Sequence, residues 1–95
     1  MDASLVALVT GANSGIGFAT SQALAQAGYR VVLAGRRYEA VDEAARAIEG
    51  ETLAVELDIS DPASIETLFD RIPEPWRDVS VLVNNAGHDR GGRTK

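Results

Sequence analysis

Short apolar runs alternate with longer stretches of helical periodicity along the chain. The Val- and Leu-rich runs predict strands at residues 5–9, 30–34, 52–56 and 79–83. The first and last runs are apolar almost throughout, which is typical of strands covered on both faces of a sheet. Between the runs, apolar residues recur at helical spacing and predict helices over residues 15–27, 38–49 and 61–71.

Each predicted helix has a set of apolar residues at helical spacing along one side. These are Ile16, Ala19 or Ala23, and Ala27 in the first helix; Val41, Ala44, Ala45 and Ile48 in the second; and Ile65, Leu68, Phe69 and Ile72 in the third. Gly28 and Gly50 follow the first two helices as stop signals. Asp61 is an N-cap candidate for the third helix, with Pro62 at its first position.

The predicted elements follow the order β-α-β-α-β-α-β, with connections that leave room only for helical crossovers. This alternation indicates an α/β fold with a parallel sheet and right-handed crossovers. If the chain returns past the first strand after the third, the strand order is 3-2-1-4, the first half of a Rossmann-like, doubly wound sheet. We expect this half-domain over residues 1–87, and a loop or tail over residues 88–95, which lack apolar periodicity.

Three glycines lie between the first predicted strand and the first predicted helix. Gly11 follows the strand where the chain must turn sharply, and Gly17 is expected to let the helix pack tightly on the strand. Gly15 falls at the helix start, where unpaired N–H groups and the helix dipole attract an anion. Asn13 and Ser14 would add capping hydrogen bonds. A tight turn without a ligand is the alternative, but the position inside a βαβ unit favours a phosphate site.

Three motifs carry a family resemblance. Residues 10–17 read TGANSGIG, residues 84–87 read NNAG, and Asp58 and Ile59 follow the third predicted strand. With these motifs the sequence resembles the short-chain dehydrogenase/reductase family, whose signature is TGxxxGIG followed by NNAG. The resemblance covers essentially the whole chain and implies an NAD(P)-binding oxidoreductase fold.

The resemblance also implies roles for individual residues. The Thr10 hydroxyl would bond the Ala86 amide, and residues 84–87 would form a wall beside the adenosine ribose. Asp58 would lie near the adenine, although a simple turn-forming role is the alternative. The complete set of predicted cofactor-binding residues is Thr10, Gly11, Asn13, Ser14, Gly15, Ile16, Gly17, Arg36, Arg37, Asp58, Ile59, Asn85, Ala86 and Gly87.

The end of the second predicted strand bears on which nicotinamide cofactor is bound. NAD-binding folds place an acid there for the ribose 2′-hydroxyl, but this chain has Gly35, followed by Arg36 and Arg37. A guanidinium would instead hold a 2′-phosphate through charge-assisted bonds. Two cations that merely open a helix would oppose its dipole. We therefore predict NADP(H) rather than NAD(H), with Arg36 as the nearer contact.

The catalytic pair that the resemblance implies, a tyrosine with a lysine four residues later, is absent from the sequence. Leu33 lies four residues after Tyr29, Asp42 lies four residues after Tyr38, and the lysine in the chain is the terminal Lys95. We therefore assign no catalytic residue. Family members are more than twice as long, so we expect a truncated piece of such an enzyme, inactive by itself.

Composition limits the remaining choices. A net charge of −5 argues against nucleic acid or an anionic membrane as partner. The absence of cysteine excludes disulfides and thiolate metal sites, and we predict no metal site. Without a signal-like or membrane-spanning apolar segment, we expect a cytoplasmic protein.

Two functions follow from the sequence. The first is an NADP(H)-dependent oxidoreductase that transfers hydride to or from a small carbonyl or alcohol substrate and assembles as a homo-oligomer. The alternative is a non-catalytic module that binds a nucleotide or a partner protein.

Overall fold

The computed structural model describes residues 5–85. The strands are β1 (Val6–Thr10), β2 (Arg30–Gly35), β3 (Thr52–Glu56) and β4 (Val79–Asn84), and the helices are α1 (Gly15–Gln26), α2 (Tyr38–Arg46) and α3 (Pro62–Glu66). Two short 3-10 helices, Phe69–Arg71 and Glu74–Trp76, lead from α3 to β4. Each strand agrees with its predicted bounds to within one residue. No helix in this part of the chain is long and apolar enough to cross a membrane.

The four strands form one parallel sheet in the order β3-β2-β1-β4, which confirms the predicted fold class and strand order. β1 lies in the interior, with Leu8 aligned between Val32 of β2 and Leu82 of β4. All five residues of β1 are buried. The carboxyl ends of β1, β2 and β4 therefore meet at one edge of the sheet, where the predicted site residues follow.

Two apolar clusters cover the two faces of the sheet. The cluster beneath α1 and α2 consists of Val9, Ala12, Val31, Leu33, Val41, Ala45 and Ile48. The opposite cluster consists of Val6, Leu8, Val32, Ala34, Val55, Leu57, Leu68 and Ile72, with Trp76 packed against it. The Arg30 guanidinium lies 5.8 Å from the centre of the Trp76 ring, and Arg30 Nε pairs with Glu51 at 2.6 Å.

The apolar side of α1 that the sequence indicates does not pack on the sheet. Ile16, Ala19, Ala23 and Ala27 are all exposed, with Ile16 72% accessible. The helix instead buries two small residues, Gly17 and Ser21.

The close approach at Gly17 explains this packing. A Cβ atom on Gly17 would lie 2.8 Å from the carbonyl carbon of Gly11 and 2.9 Å from Ala12 Cα, so the helix contacts the backbone of the preceding turn. Gly17 therefore packs on the turn, whereas the sequence analysis predicted that it packs on the strand. One turn later, the Ser21 hydroxyl donates to Gly17 O at 2.8 Å, so this buried polar group has a hydrogen-bond partner.

The second helix packs through its apolar side but ends early, at Arg46 rather than at residue 49. Val41, Ala45 and Ile48 are buried. The Thr52 hydroxyl donates to Ala45 O at 3.0 Å, and this bond from β3 occupies a carbonyl at the end of the helix.

The third helix is a five-residue α3 followed by a 3-10 turn, not the single helix predicted over residues 61–71. Asp61 is the N-cap, as predicted, and accepts from Ala63 N at 3.1 Å. The Thr67 hydroxyl donates back to Ala63 O at 2.9 Å, a bond that bends helices. Arg71 then donates to Glu56 O at 2.7 Å, which ties the tightened turn to the end of β3.

β4 is an edge of the described sheet, and its Leu82 side chain is 64% exposed. Because an unpaired apolar edge can pair with another chain, we expect the protein to associate at high concentration. Leu82→Lys should shift it toward the monomer, whereas Ala47→Lys, on the exposed end of α2, should not. Light scattering across a dilution series measures this. A sharp monomer with cooperative melting at every concentration would contradict the expectation.

Candidate cofactor-binding site

The turn between β1 and α1 is held by a compact set of hydrogen bonds. Gly11 has φ of 61°, a left-handed conformation that favours glycine. Ser14 is the N-cap of α1: its hydroxyl accepts from Gly17 N at 3.2 Å and donates to Gly11 O at 2.8 Å. Ala12 N donates to Ala34 O at 3.2 Å, which fixes the turn to the end of β2. The turn is therefore held in place by hydrogen bonds within the chain itself.

Neither a neighbouring atom nor the backbone conformation requires a glycine at Gly15, the first residue of α1. A Cβ atom there would meet nothing within 4 Å, and its φ is not positive. The N–H groups of Gly15 and Ile16 make no hydrogen bond within residues 5–85. Two open donors at the positive end of a helix, with space above them, suit the phosphate groups of a nucleotide.

Thr10 joins the end of β1 to the end of β4. Its Oγ1 accepts from Asn85 N at 2.9 Å and lies 3.0 Å from Asn84 Oδ1. The tie that the resemblance implied is thus present at Asn85, while the predicted partner Ala86, together with Gly87, lies outside the described residues. Asn85 Nδ2 is buried with no hydrogen-bond partner in the described part of the chain. A buried amide donor beside the turn is consistent with a ligand group that would accept from it.

Two arginines follow β2 at the same edge of the sheet. Arg36 and Arg37 are both exposed, and Arg37, the N-cap of α2, makes no side-chain capping bond. Gly35, which ends β2, is buried, and a Cβ atom there would lie 3.0 Å from Asn13 Oδ1. The Asn13 side chain therefore extends from the glycine turn to the end of β2. The end of β2 therefore carries the positive charges of Arg36 and Arg37 and no carboxylate of its own.

Asp58 forms the turn after β3. Its Oδ1 accepts from Ser60 N at 3.0 Å and from Ser60 Oγ at 2.6 Å, while its own N–H donates to Ser64 Oγ at 2.9 Å. These two bonds from Ser60, and to a smaller extent the charge of Arg36, lower the pKa of the Asp58 carboxyl. The turn-forming role is therefore present in the structure, and the adenine contact remains a prediction.

Ile59, the other residue predicted near the adenine, is 42% exposed. It lines an apolar groove of about 250 Å³ on the α3 face of the sheet, whose lining is Leu8, Thr10, Leu57, Ile59, Ile65, Leu68, Phe69, Leu82 and Asn84. The groove reaches Thr10 and Asn84, so it adjoins the carboxyl edge of the sheet.

Removal of the Ser60 hydroxyl is expected to raise the pKa of Asp58 toward its ordinary value. Because folding lowers this pKa, the stability gained from the carboxylate is complete above the unfolded pKa and is lost as pH falls through the folded pKa. Ser60→Ala should therefore lose less stability on acidification than the unmodified chain. Carboxyl carbon NMR measures the pKa directly, and Arg36→Ala should raise it less than Ser60→Ala does. An unchanged pKa in Ser60→Ala would contradict the assignment.

The sequence analysis named Asn85 but neither Ser60 nor Ser64 as part of this edge of the sheet. Ser60 had a detectable signal, since an Asp followed two residues later by Ser is typical of a local turn. The burial of Asn85 Nδ2 had none, because it depends on how β4 ends against Thr10.

The parallel 3-2-1-4 sheet and the open glycine turn after its first strand define a Rossmann-type dinucleotide-binding fold. The family model described as short chain dehydrogenase matches residues 5–95, and the chain belongs to this family.

Two relatives illustrate the similarity. The NADP-dependent 3-hydroxy acid dehydrogenase YdfG of Salmonella typhi is 36% identical over 83 residues, which are 87% of this chain and 34% of that protein. The NADP-dependent 3-hydroxy acid dehydrogenase of Schizosaccharomyces pombe is 40% identical over 85 residues, with 84% of this chain and 33% of that protein covered. The chain thus spans about a third of the length of these relatives.

A solved structure agrees with the fold. The crystal structure of a metagenomic short-chain oxidoreductase in complex with NADP is similar with a TM-score of 0.80 and 37% sequence identity. The match covers 88% of this chain and 39% of the other.

Proposed function

We propose that this chain binds NADP(H) at the carboxyl edge of its sheet and is the cofactor-binding part of an oxidoreductase. The proposal rests above all on Gly15. Nothing in the described chain requires glycine at that position, yet the space above it and the N–H groups of Gly15 and Ile16 are open. A diphosphate that accepts from these donors would explain the missing side chain.

Neighbouring residues would complete the diphosphate and ribose contacts. Ser14 caps the helix and keeps the turn in place, and Thr10 holds the ends of β1 and β4 together. The unpaired Asn85 amide would donate to the adenosine side of the cofactor, with Ala86 and Gly87 continuing the wall that the family resemblance implies.

The choice of NADP(H) rests on charge at the end of β2. The exposed Arg36 and Arg37 would bind the 2′-phosphate, and Gly35 supplies no carboxylate to repel it. The two NADP-dependent relatives and the NADP complex support this choice. Asp58 and Ile59, from the turn after β3, would border the adenine ring.

The reaction that we propose for the whole protein is hydride transfer between a nicotinamide and a small carbonyl or alcohol compound, the chemistry that a bound NADP(H) supplies. Within this chain the residues bind and orient the cofactor, since the sequence contains no tyrosine with a lysine four residues later.

Calorimetric titration of the chain with NADPH and with NADH tests the proposal. We expect saturable uptake of one equivalent, tighter for NADPH. The proposal is wrong if neither coenzyme binds under conditions in which the chain is folded.

A further inference from the structure

The turn after β3 is tied to α3 by one hydroxyl group. The Asp58 N–H donates to Ser64 Oγ at 2.9 Å, and both residues are half-buried, so water is partly excluded from this bond. The other bonds of Asp58 are local to the turn: Ser60 donates to its carboxylate, and Asp61 N donates to its carbonyl at 3.0 Å. Within residues 5–85, the bond to Ser64 is thus the one that joins Asp58 to a helix.

Ser64 is itself fixed against the end of β3. Its N–H donates to Asp61 O at 3.0 Å. Arg71 donates from Nη2 to Ser64 O at 3.2 Å and from Nη1 to Glu56 O at 2.7 Å, and so bridges α3 to the last residue of β3. The Ser64 hydroxyl therefore has a defined position relative to the sheet, and it passes that position on to the Asp58 backbone.

Two groups of the same turn keep their hydrogen-bonding capacity. Both Ser60 bonds reach Oδ1 of Asp58, and no bond from residues 5–85 reaches Oδ2. The Ile59 N–H likewise makes no hydrogen bond within this range, whereas the Asp58 N–H is used by Ser64. The turn therefore presents one acceptor and one donor from adjacent residues. The Watson–Crick edge of adenine, an amino group beside a ring nitrogen, carries the complementary pair.

We propose that Ser64 is a positioning residue for recognition of the adenine ring. By engaging the Asp58 N–H, its hydroxyl holds the free carboxylate oxygen and the Ile59 N–H in a fixed relation to each other. It also removes the Asp58 N–H as a second donor beside the carboxylate, which fixes the polarity of the turn. This inference rests on the proposed function, because it concerns the adenine end of the same site.

Titration with NADPH and with its deamino analogue tests this role. The analogue has hypoxanthine in place of adenine, so an oxygen replaces the amino group and the adjacent ring nitrogen carries a hydrogen. Its donor and acceptor are therefore exchanged, and the unmodified chain should bind NADPH more tightly. Ser64→Ala should reduce this preference by roughly two- to tenfold, the effect of one hydrogen bond. A purely structural role would weaken both ligands equally and leave their ratio unchanged.

Two further variants serve as controls. Ser64→Thr keeps the hydroxyl and should keep the preference for adenine. Thr67→Ala removes a hydroxyl at the end of the same helix whose bond returns to Ala63 O at 2.9 Å, and it should leave the preference unchanged. A Ser64→Ala variant with the full preference, or an equal loss in Thr67→Ala, would overturn the inference.

Amide hydrogen exchange tests the same role without a substitution, so it decides the matter even if Ser64→Ala does not fold. In the free chain the Asp58 amide should exchange more slowly than the Ile59 amide, because the Asp58 amide is bonded to Ser64. NADPH should slow exchange at Ile59, and the deamino analogue should slow it less. Equal exchange of the two amides in the free chain would overturn the inference.

The outcomes separate this inference from the function on which it rests. If the folded, unmodified chain binds neither NADPH nor the analogue, the proposed function fails and the role of Ser64 fails with it. If the chain binds both equally, or if Ser64→Ala keeps the ratio of the unmodified chain, the proposed function stands and only the role of Ser64 is overturned.

Discussion

Gly17→Ala is expected to lower the free energy of unfolding by about 1–3 kcal/mol, the usual cost of overpacking, or by more because the clash is with backbone. The new Cβ atom would lie within 3 Å of Gly11 C and Ala12 Cα, and no change of rotamer relieves contact with backbone. A 95-residue chain has little stability in reserve, so much of the folded population should be lost. Urea titration followed by circular dichroism measures the loss.

Gly15→Ala is the matched control for this prediction. The same substitution two residues earlier meets nothing within 4 Å, and alanine is favoured over glycine in helices by about 0.5–1 kcal/mol. The variant should therefore be at least as stable as the unmodified chain. Its methyl group would nevertheless stand between the N–H groups and a phosphate, so NADPH affinity should fall. Normal NADPH binding by Gly15→Ala, or normal stability of Gly17→Ala, would refute the respective assignment.

Arg36→Ala is expected to weaken NADPH binding by roughly tenfold to more than a hundredfold, the equivalent of a charged hydrogen bond of about 1.5–3 kcal/mol. NADH, which lacks the 2′-phosphate, should bind as before. Titration of both coenzymes against the same preparation measures the difference, and the loss should shrink at high salt because Arg36 is exposed.

Arg46→Ala is the charge-matched control for this effect. Arg46 is exposed on the last turn of α2 and pairs with Asp42 at 2.8 Å, away from the end of β2. It should leave both affinities unchanged, and Arg37→Ala should have a smaller effect than Arg36→Ala. Equal losses of NADH and NADPH in Arg36→Ala would show that the guanidinium does not recognise the 2′-phosphate.

The strand order was predictable because each strand can be recognised from its own short stretch of sequence. A buried parallel strand is an uninterrupted apolar run, and the short connections between the runs permit only helical crossovers. The packed face of α2 was predictable for a related reason, since Val41, Ala45 and Ile48 are apolar and lie one turn apart.

The packed face of α1 was not predictable by the same rule. Hydrophobic periodicity assumes that a helix packs through its apolar side chains. Helix α1 instead packs at Gly17, which has no side chain. Gly17 lets the helix touch the Gly11 backbone, and Ser21 is buried because its hydroxyl is satisfied by Gly17 O. Neither residue has an apolar side chain, so a search for apolar residues does not place Gly17 or Ser21 in the core.

The candidate site was predictable in part. The glycine turn follows from its place between a strand and a helix, and the link from Thr10 to the end of β4 follows from the family resemblance. The bond from the Asp58 N–H to Ser64 could not be predicted, because it depends on how closely α3 lies against the end of β3. Asp58 accepts two hydrogen bonds from Ser60 that form its turn, so a cofactor contact is not needed to explain an aspartate at this position.

The position of Trp76 provides an internal optical probe. It is the one tryptophan in the sequence, and it packs beneath Arg30 at the amino ends of the strands, across the sheet from the glycine turn. Its emission wavelength should report the integrity of the apolar cluster on the α3 face, with little direct influence from a coenzyme at the opposite edge. Variants of the turn can thus be checked for folding and for ligand uptake by separate signals in one cuvette.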